Sequence, residues 1–275
     1  VFSPYYAAAR RRGRGDPEHH CALNVALYGR PNRWSLTERG RGALRRDAAT
    51  LAIGPSALHF DGTSLTIDID ERGMPLPHRL KGRLKVHFEA LNATAFRLDA
   101  QGLHRWWPIA PFARVDVALE SPDLRWSGHA YFDTNDGAAP LEHSFRHWHW
   151  SRATGTSATT VFYDVTECDG RTSSLALRIG RDGSLAAVEA PPEVSLPPTM
   201  WRVSRTTRAG PGRPVAITKT LEDAPFYARS LLATHLDGQP ATAVHESLDL
   251  ERFDRRWVQM LLPFRMPRRS RWHGV

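Results

Sequence analysis

The sequence predicts an all-β protein, a sandwich or barrel of short antiparallel strands. Three observations predict it. Apolar and polar residues alternate with period two over many short stretches, turn dipeptides ending in glycine separate those stretches, and amphipathic helical periodicity is confined to one stretch near Glu251–Leu262. Alternation sends successive side chains to opposite faces of a strand, so each run offers one face to a core and the other to water.

The elements follow in order. Leu65, Ile67 and Ile69 alternate with Thr66, Asp68 and Asp70. Leu80, Leu84, Val86 and Phe88 are interleaved with Arg79, Lys81, Arg83, Lys85 and His87, and Val115, Val117 and Leu119 repeat the theme. Leu175, Leu177 and Ile179 do so again in the later half. Between the runs stand Asp61-Gly62, Arg72-Gly73, Gln101-Gly102, Asp136-Gly137, Asp169-Gly170, Asp182-Gly183 and Asp237-Gly238, the turn chemistry that antiparallel hairpins use. The segment Gly137–Pro140 places a domain junction, giving an N-terminal β domain over 1–140 and a C-terminal one over 141–275. Pro191-Pro192 and Pro197-Pro198 read as an irregular crossover or edge within the second.

Composition narrows the function classes. A chain of 275 residues with 41% hydrophobic and 24% charged residues has the means to bury a core. Its longest apolar runs, such as Met260-Leu261-Leu262, are too short to span a bilayer. No signal-peptide pattern opens it, and it starts on Val1 rather than Met. Cys21 and Cys168 give neither a disulfide framework nor metal-ligand spacing, so a reducing compartment is expected. The net charge of +8 sits at the ends. Four arginines lie in Val1–Gly15 and four in Pro263–Val275, both without acids, which leaves 37 − 8 = 29 Lys+Arg against 29 Asp+Glu in the body. A neutral body argues against nucleic acid. A C-terminal stretch mixing Leu261, Leu262, Phe264, Met266 and Trp272 with Arg265, Arg268, Arg269 and Arg271 suits an anionic membrane surface, where each basic residue contributes about 1 kcal/mol.

Two triplets carry the chemistry. His104-Arg105-Trp106 and Tyr131-Phe132-Asp133 each put two functional side chains on one strand face. If both faces line one pocket, a carboxyl meets an imidazole and two electron-rich rings, an apparatus for giving a proton to an apolar substrate. Taken by itself, Asp133 also reads as a turn former ahead of Thr134-Asn135-Asp136-Gly137, and His104 and Trp106 as packing residues. Trp148 and Trp150 share a face and read as core or pocket wall. His19-His20-Cys21 with His147 and His149 does not make a metal site, because neighbouring ligands on a strand diverge. Tyr163-Asp164 diverges for the same reason, and Ser56 after Gly54-Pro55 lacks the second glycine of a nucleophile elbow. No cofactor motif appears.

A longer pattern runs through these blocks. Val1–Tyr6, Asp16–Gly29, Arg33–Gly40, Ile53–Ser56, Ile67–Glu71, His104–Pro111, Tyr131–Asn135 and Trp148–Arg152 occur in an order that resembles the bacterial carotenoid 1,2-hydratases, also called hydroxyneurosporene synthases. The likeness is dense over roughly the first 150 residues and departs at His19, where the family pattern has Asn. The resemblance implies two lipocalin-like antiparallel β-barrels or half-barrels packed together, with few short helices. It implies a cofactor-independent hydro-lyase that adds water to the terminal C1–C2 double bond of acyclic carotenoids such as neurosporene and lycopene, leaving a tertiary alcohol. It also implies that Asp133 is the proton donor, supported by His104, Trp106 and Tyr131; Trp107, Trp148 and Trp150 are expected to contact substrate. On this reading burial keeps Asp133 protonated, the aromatic faces stabilise a tertiary cation, and His104 orients water. The expected location is the cytoplasmic side of the bacterial inner membrane, held peripherally. A non-catalytic carrier of a hydrophobic polyene would share the apolar pocket but would need no buried carboxyl.

Overall fold

The alternating runs are strands, and each pairs antiparallel with its neighbour in sequence. In the computed structural model, which describes residues 2–74, 76–236 and 238–269, the strands Ser64–Arg72, Arg79–Phe88 and His104–Ser121 bring Leu65, Val86 and Val115 side by side. One step along, Ile67, Leu84 and Val117 align. Directly opposed side chains share a face, so these rows build a buried apolar layer. The intervening positions form a solvated charged face: Arg83 bonds Asp68 at 2.6 Å, Arg79 grips Asp70 at 2.8 and 2.9 Å, and His87 meets Asp116 at 3.0 Å. Exposed pairs of this kind contribute about 0–1 kcal/mol each, so the apolar layer carries the stability. Arg271 and Trp272 of the basic tail and Asp237 of the Asp237-Gly238 turn lie outside the described residues.

The chain forms two compact units that interleave in sequence: Val1–Phe88 with Ala113–Ala130 and Gln259–Val275, and Glu89–Phe112 with Tyr131–Val258. The first unit contains an antiparallel meander of Leu44–Arg46, Thr50–Ile53, Ser56–Phe60, Ser64–Arg72 and Arg79–Phe88. The long hairpin His104–Ser121 and Asp123–Gly137 gives residues 113–130 to this unit and its two ends to the second. In the second unit a seven-stranded sheet runs, edge to edge, Leu185–Ala187, Thr172–Gly180, Ala158–Glu167, Phe145–Thr154, Gln239–Asp249, Tyr227–Leu236 and Ala216–Ala224. Both sheets are open antiparallel sheets rather than closed barrels. The proline-rich segment carries the chain from one edge of the seven-stranded sheet to the other, making on its way a short hairpin of Glu193–Leu196 and Arg205–Arg208.

Two buried carboxylates tie the first unit together. Glu71 accepts from Arg39 at 2.7 Å and from Ser56 at 2.8 Å, and both charged side chains are almost wholly buried. Glu38 is held by Ser3, His20 and Arg268, joining the N-terminal helix to the short parallel pairing of Arg268–Arg269 with Glu38–Arg39. That helix, Pro4–Arg11, starts where Ser3 accepts the Tyr6 N–H and Pro4 fills the first turn, a start signal present in the sequence. The single helix expected over Glu251–Leu262 is instead two, Leu250–Phe253 and Arg256–Leu261. Asp249 caps the first, whose Leu250 and Phe253 are buried, Phe253 against Phe226 at 5.1 Å; the chain must turn after these anchors.

Gly82 stands between Ile69 and Leu119 with φ +150°, and a Cβ there would lie 2.4 Å from the Ala118 carbonyl oxygen. Gly82→Ala should therefore cost roughly 2 kcal/mol or more, read as a lower denaturant midpoint; an unchanged midpoint would contradict this packing. In the second unit His149 stacks on His245 at 6.4 Å, and desolvation lowers them to about 3 and about 4. Both stay neutral in the folded chain while the unfolded chain protonates near pH 6.5, so stability falls as pH drops from about 6.5 toward 4. Replacing both with Phe should flatten that dependence in denaturant titrations at successive pH values; an unaltered slope would rule the pair out as its source.

Candidate active site

Two strand ends of the second unit bring the acid and its donors together. His104–Ser121 supplies Trp106, and Asp123–Gly137 supplies Tyr131 and Asp133 on one face. Trp106 is fully buried and its Nε1–H donates to Asp133 Oδ2 at 2.7 Å. The Tyr131 hydroxyl donates to the same oxygen at 3.1 Å. Desolvation raises the Asp133 carboxyl above its ordinary value, outweighing the bonds from Trp106 and Tyr131 that lower it; the charge on Glu246 adds to the rise and Arg152 opposes it. Burial, then the neighbouring carboxyl, pushes the Tyr131 phenol well up, so it remains a donor.

Aromatic rings enclose this carboxyl. Trp106 lies 5.9 Å from Phe96 and 5.5 Å from Tyr163, Tyr163 is 5.8 Å from Trp148, and Tyr131 is 5.6 Å from Trp150. The strand register explains the wall. Trp150 opposes Tyr163 on one side and Glu246 on the other, so all three project from one face of the seven-stranded sheet. Arg152 lies on that face two residues further along, its guanidinium 4.5 Å from the Tyr131 ring centre and bonded to Thr154. Glu246 is paired with Arg229.

His104 takes a different position from the one the triplets suggested. Its ring is 2% exposed, its Nε2 pairs with Ser144 Oγ at 2.9 Å, and it packs on Phe145 at 5.0 Å. Among the described contacts no hydrogen bond joins it to Asp133; the two positions, 104 and 106, are about 7 Å apart along the strand. Burial lowers the imidazole, which favours its neutral form. Gly137 makes room for it, since a Cβ there would fall 2.4 Å from His104 Nδ1. Asp136-Gly137, read as a turn, is the end of a strand whose glycine clears space for the ring. Trp107, one residue on from Trp106, spends its N–H on the Asn92 carbonyl at 2.6 Å.

Sequence reading missed Arg152, Phe96, Phe145, Ser144 and Glu246, and placed Tyr163 outside the site. Register supplies the missing signal: Tyr163 joins the wall because it faces Trp150, while Asp164 turns away to Arg208 at 2.8 Å. A cavity of about 250 Å³ lined by Ser151, Phe162, Thr207 and Leu232 opens on the opposite face of this sheet, because Ser151 and Phe162 are offset by one residue from Trp150 and Tyr163. Among the described residues no three His, Cys, Asp or Glu side chains converge as a metal site. His20 is held by Glu38, and His149 by Ser247 at 2.8 Å. Cys21 and Cys168 are free thiols.

The family model for carotenoid hydratase CrtC matches residues 1–274. The chain is 56% identical over 270 residues to the acyclic carotenoid 1,2-hydratase of Thiocapsa roseopersicina, covering 98% of this chain and 67% of that protein. It is 50% identical to the enzyme of the same name from Rubrivivax gelatinosus, covering 98% and 68%, and 41% identical to that of Cereibacter sphaeroides, covering 99% and 96%. In fold, it is similar to a protein from Nitrosomonas europaea assigned as AttH, with a TM-score of 0.55 at 12% identity over 79% of this chain and 76% of that one. That likeness shows a lipocalin-like β architecture.

The donors at Oδ2 make a prediction independent of turnover. Trp106→Phe and Arg152→Met should each raise the Asp133 titration midpoint, since each removes a group that favours the anion. Carboxyl infrared difference spectra against Asp133→Asn would report it, and a midpoint that falls or stays put would refute the assigned electrostatics.

Proposed function

The chain belongs to the carotenoid hydratase family, and from that premise we propose that it adds water across the terminal C1–C2 double bond of an acyclic carotenoid, with Asp133 as the proton donor. One observation carries the assignment. A carboxyl whose hold on its proton is strengthened by burial also has an indole N–H and a phenol O–H on one oxygen, ready to receive the negative charge once the proton leaves.

An alkene is a weak base, so protonation is the hard step. Asp133 gives its proton to C2, the less substituted carbon, and the π pair forms the new C–H bond. The cation develops on C1, which bears two methyl groups. The carboxylate left behind is the nearest negative charge, and the indole faces of the wall offer further stabilisation, about 2 kcal/mol or more each when dry. Tyr131 contributes less in this way, because Arg152 already sits against its ring; its duty is to hold the carboxyl. Water attacks C1, and its surplus proton returns to Asp133, restoring the acid and leaving the tertiary alcohol. Trp150 Nε1, buried and without a protein acceptor among the described residues, suits the positioning of that water. His104, bonded to Ser144, supports the strand from which Trp106 projects. A carrier would use the aromatic wall but has no need of a buried acid with two donors.

A polyene of this class dissolves in lipid. We therefore place the protein peripherally on the cytoplasmic side of the inner membrane, although Arg268 of the basic C-terminal stretch is spent on Glu38 and Met266 is buried rather than offered to lipid; no helix among the described residues is long and apolar enough to cross a membrane.

Incubation with lycopene or neurosporene in detergent should give a product heavier by one water. Asp133→Asn should lower turnover by about 10²–10⁴ while retaining carotenoid binding; wild-type turnover in that variant would remove Asp133 from the mechanism. Because the active form is the protonated acid and its value is raised, activity should decline as pH climbs through the Asp133 midpoint.

A further inference from the structure

We propose that the turn Thr199–Val203 and the start of the helix Arg256–Leu261, at Arg256 and Trp257, form the surface that seats this protein in the headgroup region of an anionic bilayer. The inference deepens the functional reading above, on which it rests for its choice of lipid over protein as the occupant.

The turn is a stiff apolar tip. Met200 is 93% exposed and Trp201 is exposed beside it, an unusual placement for two large hydrophobic side chains on a surface turn. Hydrogen bonds hold the turn on every side: Arg202 N–H to the Thr199 carbonyl, Thr199 N–H to the Val203 carbonyl, Val203 N–H to Thr199 Oγ1 and Met200 N–H to Asp223. Arg202 adopts φ +58°, a left-handed conformation that non-glycine residues adopt rarely and at a cost. The backbone is thus bent and pinned in the form that thrusts Met200 and Trp201 outward.

The helix completes the patch. Trp257 stacks on Trp201, with ring centres 6.2 Å apart and planes at 26°. Arg252 reaches both residues, donating to the Trp201 backbone carbonyl at 2.7 Å and standing 6.0 Å from the Trp257 ring centre. Paired tryptophans with an arginine beside them suit the interface, where an indole spans apolar and polar surroundings.

Charge selects the lipid. Arg202, Arg255 and Arg256 are exposed and have no carboxylate partner among the described residues. Of the nearby acids, Asp223 accepts the Met200 N–H, Asp249 accepts the Arg252 N–H and Glu251 is met by Arg146 at 3.5 Å, which leaves Asp254 as the exposed opposing charge outside such contacts. Three unpaired guanidinium groups around an apolar tip complement an anionic headgroup layer.

The test is sedimentation of the full chain, without carotenoid, on vesicles of phosphatidylglycerol and of phosphatidylcholine. Expected results are binding to the first that weakens with salt and is at least 10-fold poorer on the second. Met200→Ser with Trp201→Ser should reduce binding at least 10-fold, and Arg255→Gln with Arg256→Gln should abolish the lipid preference, while turnover on detergent-dispersed carotenoid is unchanged in both. Wild-type binding by the variants, or no binding by the wild type, would overturn the proposal. So would light scattering showing that the Met200/Trp201 variant loses self-association rather than lipid binding. Loss of wild-type turnover in detergent would instead count against the hydratase reading.

Discussion

The site depends on a contest at one carboxyl. Desolvation opposes the anion of Asp133, while Trp106 and Tyr131 place two hydrogens on a single oxygen and favour it. Neither influence alone would suit the proposed proton donor. Burial without donors would hold the proton more firmly, and donors without burial would favour the anion. The balance requires a fully buried indole at 106, a protonated phenol at 131 and an aromatic enclosure that limits water.

Sheet geometry supplies that enclosure from one face while freeing the other. In the seven-stranded sheet, Trp148, Trp150, Arg152, Tyr163 and Glu246 project to one side. Ser151, Phe162 and His245 project to the other, where the hairpin Glu193–Leu196/Arg205–Arg208 covers them. Thr207 Oγ1 donates to Ser151 Oγ at 3.3 Å and His245 donates to the Thr206 carbonyl at 2.8 Å. Period-two alternation thus partitions one sheet between an acid site and a separately packed cavity, and a register slip of one residue would exchange the two sets.

Elsewhere the fold spends buried charge on joining distant segments. Glu71 meets Arg39 and Ser56, and Glu38 meets Ser3, His20 and Arg268, all within the first unit. Such groups are costly to strip of water and are tolerable only when every partner is present. They specify which segments meet more than they add net stability. Their carboxylates differ from Asp133 in being directly ion-paired to arginine, and this separates structural acids from the proposed catalytic one.

Much of this was legible in the sequence. Alternation in Leu65–Ile69, Leu80–Phe88 and Val115–Leu119 established strands, faces and a β fold, because the two-residue repeat is a local property of the backbone. The i, i+2 spacing of Tyr131 and Asp133 placed both on one face for the same reason, and the ordered blocks gave the family. Local spacing could not say which strands lie side by side. That is why Tyr163, Arg152 and Phe96 went unread at the site, why His104 turned out to bond Ser144 rather than Asp133, and why the helix after Asp249 is broken where Phe253 is anchored. Those contacts join residues ten to forty positions apart, and only the pairing register and the packing of buried side chains decide them.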